Sequence, residues 1–138
     1  MDDQSLFDEL AFYTLAHGDP RFIHQHAVDA FAAQNAGPSS KPISVVFGLA
    51  GLYLYLEKGF TGRQVQKAHM QLARRRKDWP TLALPDERGE ISIRDVLKAE
   101  TGRARDEKIR EWSASVWEAW RPNRQQIVEL VHRELGID

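Results

Sequence analysis

The chain has no cysteine among its 138 residues. That absence excludes disulfides, thiolate zinc sites and cysteine nucleophiles together. A surplus of charge is also lacking. Nineteen lysines and arginines face 20 acidic residues, a net charge of -1 with neutral histidines, so nothing draws the whole chain toward nucleic acid or acidic lipid. No apolar run is long enough to span a bilayer. The longest, Ile43 to Leu56 (ISVVFGLAGLYLYL), has 14 residues, against the roughly 20 that a spanning helix needs. The opening MDDQSLFDEL is acidic and carries no basic-then-apolar leader pattern. A soluble cytoplasmic protein, with no membrane partner, is expected. There is no G-x-S-x-G elbow, no glycine-rich phosphate loop, no HExxH pair and no paired Glu-x-x-His. The serines cluster at helix starts, where capping explains them.

What is present is a globular mix, 42 % apolar and 28 % charged. The length suits one domain, 1–138, with a core that needs no staples. The punctuation marks helices. A first helix is expected from Ser5 to His17, with Gly18 as its cap. Asp19 then reads as the cap of a second helix with Pro20 at its first position, fading near Asn35. Pro42 opens a third helix that ends at Lys58-Gly59. Thr61 and Gln64 form a capping-box pattern for a fourth, running to Lys77. TLALPDERGE is irregular; its short apolar alternation could be a strand, but it has no obvious partner. SIRDVLKA is a short helix, a longer one spans Arg103 to Trp120, and Pro122 opens a last helix closed by Gly136. The expected fold is an all-α single-domain bundle of about five main helices plus one or two short ones. The helix over 42–58 is apolar nearly all round and is expected at the centre. Gly48 and Gly51 would let a neighbouring helix approach it closely.

The histidines are the first candidates for chemistry. FIHQHAVDAF puts His24 and His26 two residues apart. At about 100° per residue they point about 200° apart and cannot chelate one ion from a regular helix. His24 falls within the apolar arc of Ile23, Ala27, Val28 and Phe31. His26 and Asp29 fall outside it, one turn apart, and read as a solvated surface pair. His17 shares a face with Leu6, Leu10 and Tyr13, and His69 shares one with Val65, Ala68 and Leu72. His17, His24 and His69, with Glu57 at the end of the central helix, are therefore the candidate ligands of a divalent metal. Imidazole suits zinc, copper, iron or nickel, and three ligands with an open position would be a catalytic arrangement. The plainer alternative is that His17 caps its helix and that His24 and His69 are satisfied core histidines. No cofactor is required by any motif.

Two further patterns stand out. Arg74, Arg75, Arg76 and Lys77 lie together beside Trp79. Cations with a stacking aromatic can hold phosphates or bases, although cations also favour a last helical turn. Nucleic acid is not the expected partner. Trp112, Trp117 and Trp120 recur with Ile109 and Val116 along one helix, a stripe that suits a core or, in part, a dimer face.

The segments HQHAVDAFAAQN and GLAGLYLYLEKG resemble a family of small bacterial all-helical proteins carrying a domain-of-unknown-function label. The stretch His24 to Gly59 that holds them is about a quarter of the chain. On that resemblance His24 and Asp29 fall on the first motif and Glu57 on the second. The chain departs from the family pattern at Asn35 and Gly48, where relatives often carry histidine. It also lacks the N-terminal cysteines of some relatives. Both departures argue against an inherited metal site. The resemblance implies a helical fold and brings no activity.

The expectation from sequence is thus a non-catalytic interaction or regulatory module, with a homodimer or protein partner. A metal-binding protein or metal-dependent enzyme built round His17, His24, His69 and Glu57 is one alternative. A binder of nucleic acid or another anion through Arg74 to Lys77 is the other. Whether the chain is an enzyme stays open.

Overall fold

A computed structural model of the chain describes residues 2–138. Seven α-helices run in the order α1 (Asp3–Ala16), α2 (Ile23–Gln34), α3 (Pro42–Lys58), α4 (Gly62–Arg75), α5 (Ile93–Lys98), α6 (Arg103–Ala119) and α7 (Arg124–Leu135). A 3-10 turn at Arg121–Asn123 leads into α7. No strand occurs among the described residues, so the fold is all-α and TLALPDERGE is irregular backbone. No described helix is long and apolar enough to cross a membrane.

Local chemistry sets most of the helix ends. The Asp2 carboxylate accepts from the Ser5 amide at 2.8 Å, so α1 begins earlier than Ser5. Thr61 and Gln64 close a reciprocal capping box on α4: the Gln64 amide donates to Thr61 Oγ1 at 3.2 Å and the Thr61 amide to Gln64 Oε1 at 2.8 Å. Ser92 and Asp95 do the same for α5. Gly59 ends α3 in the left-handed region, φ +70°, where a side chain would be strained.

The start of α2 differs from expectation. Asp19 and Pro20 do not open the helix; Ile23 does. The Asp19 carboxylate folds back to accept from the amides of Arg21 at 2.9 Å and Ile23 at 3.1 Å. That Asx-type turn delays the helix by one turn. It leaves Phe22 left-handed at φ 60°, a strained setting for an aromatic residue. The neighbouring α4 holds it there: the Gly62 amide donates to Arg21 O at 2.7 Å, and the Arg63 guanidinium sits 4.0 Å over the Phe22 ring.

The core lies round two helices. As expected, α3 is central: nine of its residues from Val45 to Leu54 are buried. It shares that place with α2, which packs against α1, α3, α4 and α6. Small residues let the two approach. Gly48 lies against Asp29 O and Ala32, and a Cβ at Gly51 would run into the Asp29 carboxyl. Trp112 and Trp117 of α6 and Trp120 at its C-cap are core residues with satisfied indoles. Trp112 Nε1 donates to Gln34 Oε1 at 2.8 Å, Trp117 Nε1 to Glu57 Oε2 at 2.7 Å and Trp120 Nε1 to Ala33 O at 3.2 Å.

Gly51→Ala is expected to lower unfolding stability by about 2–3 kcal/mol, the cost of forcing a methyl into a packed contact. Gly37→Ala, where a Cβ meets nothing within 4 Å, is expected to change it by less than about 0.5 kcal/mol. Urea unfolding of both variants checks this; equal effects would refute the close approach.

Candidate functional site

The four residues named as metal ligands are engaged separately. His17 Nε2 lies 3.3 Å from Asp106 Oδ2 on α6. His24 Nδ1 shares a 2.8 Å hydrogen bond with Thr14 Oγ1. His69 Nε2 donates to Phe47 O at 2.8 Å, with its ring stacked on Phe47. Glu57 is clamped by the Arg124 guanidinium and the Trp117 indole; Arg124, the larger influence, holds its carboxyl below the usual range. No three histidine or acidic side chains among the described residues are grouped to share an ion. Of the basic run, Arg76 pairs with Glu134 at 3.3 Å, while Arg74, Arg75 and Lys77 are exposed.

The reading of His26 and Asp29 as a surface pair is overturned. His26 is 4 % exposed and Asp29 2 %. The large apolar residues of α2 misled: its most buried side chains are the alanines 27, 30 and 33, and both polar residues lie on that inner side. They do not pair with each other. The two buried side-chain polar atoms without a hydrogen-bond partner among the described residues are His26 Nδ1 and Asp29 Oδ2. An unsatisfied buried polar atom costs about 1–3 kcal/mol, so each calls for an explanation.

His26 belongs to the wall of a cavity of about 320 Å³, bounded by the α1–α2 turn, the end of α3 and α6. Its ring lies flat on Tyr55, with centroids 3.5 Å apart and planes at 8°. Burial pushes its pKa down to about 4, with the Arg21 and Arg110 cations adding to the effect and Asp19 opposing it. The imidazole is therefore neutral near pH 7, offering one donor and one acceptor. Burial pushes the Tyr55 hydroxyl the other way, up, against a hydrogen bond from Arg110, whose guanidinium sits 5.2 Å from the ring centroid.

The carboxylates of the cavity are already engaged. Asp19 caps the turn. Asp106 takes the Tyr13 hydroxyl at 2.8 Å on Oδ1 and faces His17 on Oδ2, and Tyr13 is pinned by the Gly102 amide at 2.9 Å. Neither Arg21 nor Arg110 forms an ion pair with a carboxylate of the described residues. The site thus offers two guanidiniums without carboxylate partners, Arg110 being held by Tyr55, and a neutral imidazole whose Nδ1 has no partner.

Sequence reasoning placed His17 among the candidates but missed Arg21, Tyr55, Asp106 and Arg110. Asp106 and Arg110 lie almost 90 residues from Asp19 and Arg21 in the turn they face, and no local motif links them. A signal was present for α2: Ala27, Ala30 and Ala33 recur every three residues, and Gly48 and Gly51 do the same. Two small-residue stripes of that kind suit a close helix pair, whose inner face would then have included His26 and Asp29.

Opposite pH dependences are expected from the two buried groups. His26 has a folded pKa of about 4 against 6.5 unfolded, so the unfolded chain binds the extra proton and stability falls as pH drops from 6.5 toward 4. His26→Gln is expected to flatten that acid limb, a difference on the order of 2–3 kcal/mol. The Asp29 carboxyl is raised well above 3.8 by burial, with Gln25 opposing. Here the folded chain holds the proton longer, so stability falls as pH rises above about 4. Asp29→Asn should match the wild type at low pH and gain on it as pH rises. Urea unfolding from pH 4 to 8 checks both; parallel curves would contradict the burial.

A family model described as a family of unknown function (DUF5946) matches residues 4–121. No curated protein and no solved structure matches the chain.

Proposed function

We propose, for a chain that belongs to the family of unknown function DUF5946, that it is a binding module for a small anionic molecule seated in the cavity beside His26. One observation carries this reading. Two arginines without carboxylate partners flank a buried imidazole whose Nδ1 has no partner. Guanidinium is the side chain best shaped for carboxylate and phosphate oxygens. A neutral imidazole can add one donor without the cost of burying a second charge. Tyr55 and Ile23 supply apolar wall for a small organic body. The strained Phe22 supports the same reading, because the turn that holds it also carries Arg21 to the rim. The reading requires no chemistry of the ligand, and it keeps the regulatory module expected from sequence.

The test is calorimetric titration with succinate and with inorganic phosphate at low salt. Binding of at least one probe is expected, weakening as salt rises. Arg110→Ala or Arg21→Ala should weaken it tenfold or more, while Arg74→Ala should leave it unchanged. Absence of binding by both probes, or equal loss on Arg74→Ala, would overturn the reading.

A second reading rests on α1. This helix is apolar on its outer side as well: Phe12 is 77 % and Leu15 56 % exposed. Exposed apolar residues close together on one helix suit a protein interface, here a second copy of the chain. Light-scattering mass across a concentration series is expected to show a dimer that Phe12→Glu with Leu15→Glu dissolves. A monomer at every concentration would exclude it.

A further inference from the structure

A second cavity, of about 340 Å³, lies between α2, the first turns of α3 and α4, and shares no lining residue with the first. Its chemistry is different. Val28, Ala32, Ile43 and Phe47 make the walls apolar. No side chain projects from Gly48 to fill it, and no lysine or arginine lines it.

One carboxyl is set into this apolar wall. Asp29 is 2 % exposed. Its Oδ1 accepts from Gln25 Nε2 at 3.2 Å, and its Oδ2 has no partner. His69 does not satisfy it. The His69 Nε2 proton goes to Phe47 O at 2.8 Å, and the same nitrogen stands 3.8 Å from Asp29 Oδ1, too far for a hydrogen bond. An ionised carboxylate in such a place is unfavourable unless a cation joins it, and no lysine or arginine lines the cavity to do so.

A metal ion does not fit. Only Asp29 and His69 offer ligands of the usual kind, His69 is already bonded, and no group of three such side chains occurs among the described residues. An ammonium group fits better. It carries its own three donors, needs only a few oxygen acceptors, and can bring an apolar body for the walls. Asp29 Oδ1 and Gln25 Oε1 are acceptors of that sort.

We propose that this cavity binds a small primary ammonium ion with a short aliphatic body, its charge against Asp29 and its chain against Val28, Ala32, Ile43 and Phe47. The site stands independently of the anion cavity at His26.

The test is titration of the full chain with n-pentylamine hydrochloride, with 1-pentanol as the uncharged analogue and sodium valerate as the charge-reversed one. Calorimetry gives the affinities, and amide chemical shifts locate the site. The amine is expected to bind at least tenfold more tightly than the alcohol, with shifts confined to residues 25–32, 43–48 and 69, and valerate should not bind there. Asp29→Asn should reduce the amine to the alcohol's affinity and leave the alcohol unchanged. Ser44→Phe, at an exposed position on the rim, should block both. Equal affinities for amine and alcohol, full amine binding by Asp29→Asn, or shifts elsewhere would overturn the proposal. If Asp29→Asn does not fold, amine binding that survives Ser44→Phe overturns it in the same way.

Discussion

The approach of α2 to α3 is the constraint on which the rest of the structure depends. Helices pack closely only where small residues leave room. Here Gly48 and Gly51 on one helix meet Asp29 and Ala32 on the other. Because α2 also packs on α1, α4 and α6, its inner position fixes four neighbours at once. It carries His26 onto the Tyr55 ring and Asp29 onto the backbone of Gly51. Both candidate cavities are consequences of that placement: one opens beside His26, the other beside Asp29.

Elsewhere among the described residues, buried polar side-chain atoms have partners. The indoles of Trp112, Trp117 and Trp120, along α6 and at its C-cap, reach Gln34, Glu57 and Ala33 O. Gln34 passes its own amide hydrogens to Ile91 O and Arg88 O, which ties the irregular segment to the core. Asn123 reaches Ala83 O, and Ser113 returns to Ile109 O. Against that background the two partnerless atoms on α2 carry information. A fold that satisfies its indoles across 60 to 90 residues of sequence has the means to satisfy a histidine and an aspartate. Leaving them without partners in residues that line cavities is a pattern that suits groups meeting a ligand.

The sequence disclosed the helices because their ends are chemically marked. Thr61 with Gln64, Ser92 with Asp95, and Pro42 with Gly59 needed no tertiary information. The helical spacing of the tryptophan stripe marked one apolar face, legible as core or, in part, a dimer face; the fold buries all three. The burial of α2 was harder. Periodicity arguments weigh large apolar residues, so Ile23, Val28 and Phe31 set the expected face. The true inner face is built of alanines and two polar residues, because its neighbour contributes glycines. The start of α2 was misplaced because the Asp19 carboxylate has two uses, capping a helix directly or closing a turn before it. The cavity residues Asp106 and Arg110 were beyond reach, since only the folded chain brings α6 to the α1–α2 turn.

The most direct measurement is a long-range proton–nitrogen spectrum of the five histidine rings, recorded from pH 4 to 8 with and without succinate. The account predicts that the His26 ring stays neutral at pH 6 and that its nitrogen signals move when succinate is added, while those of exposed His132 do not. A His26 ring that titrates near 6.5 and ignores the anion would contradict both its burial and its place in the binding site.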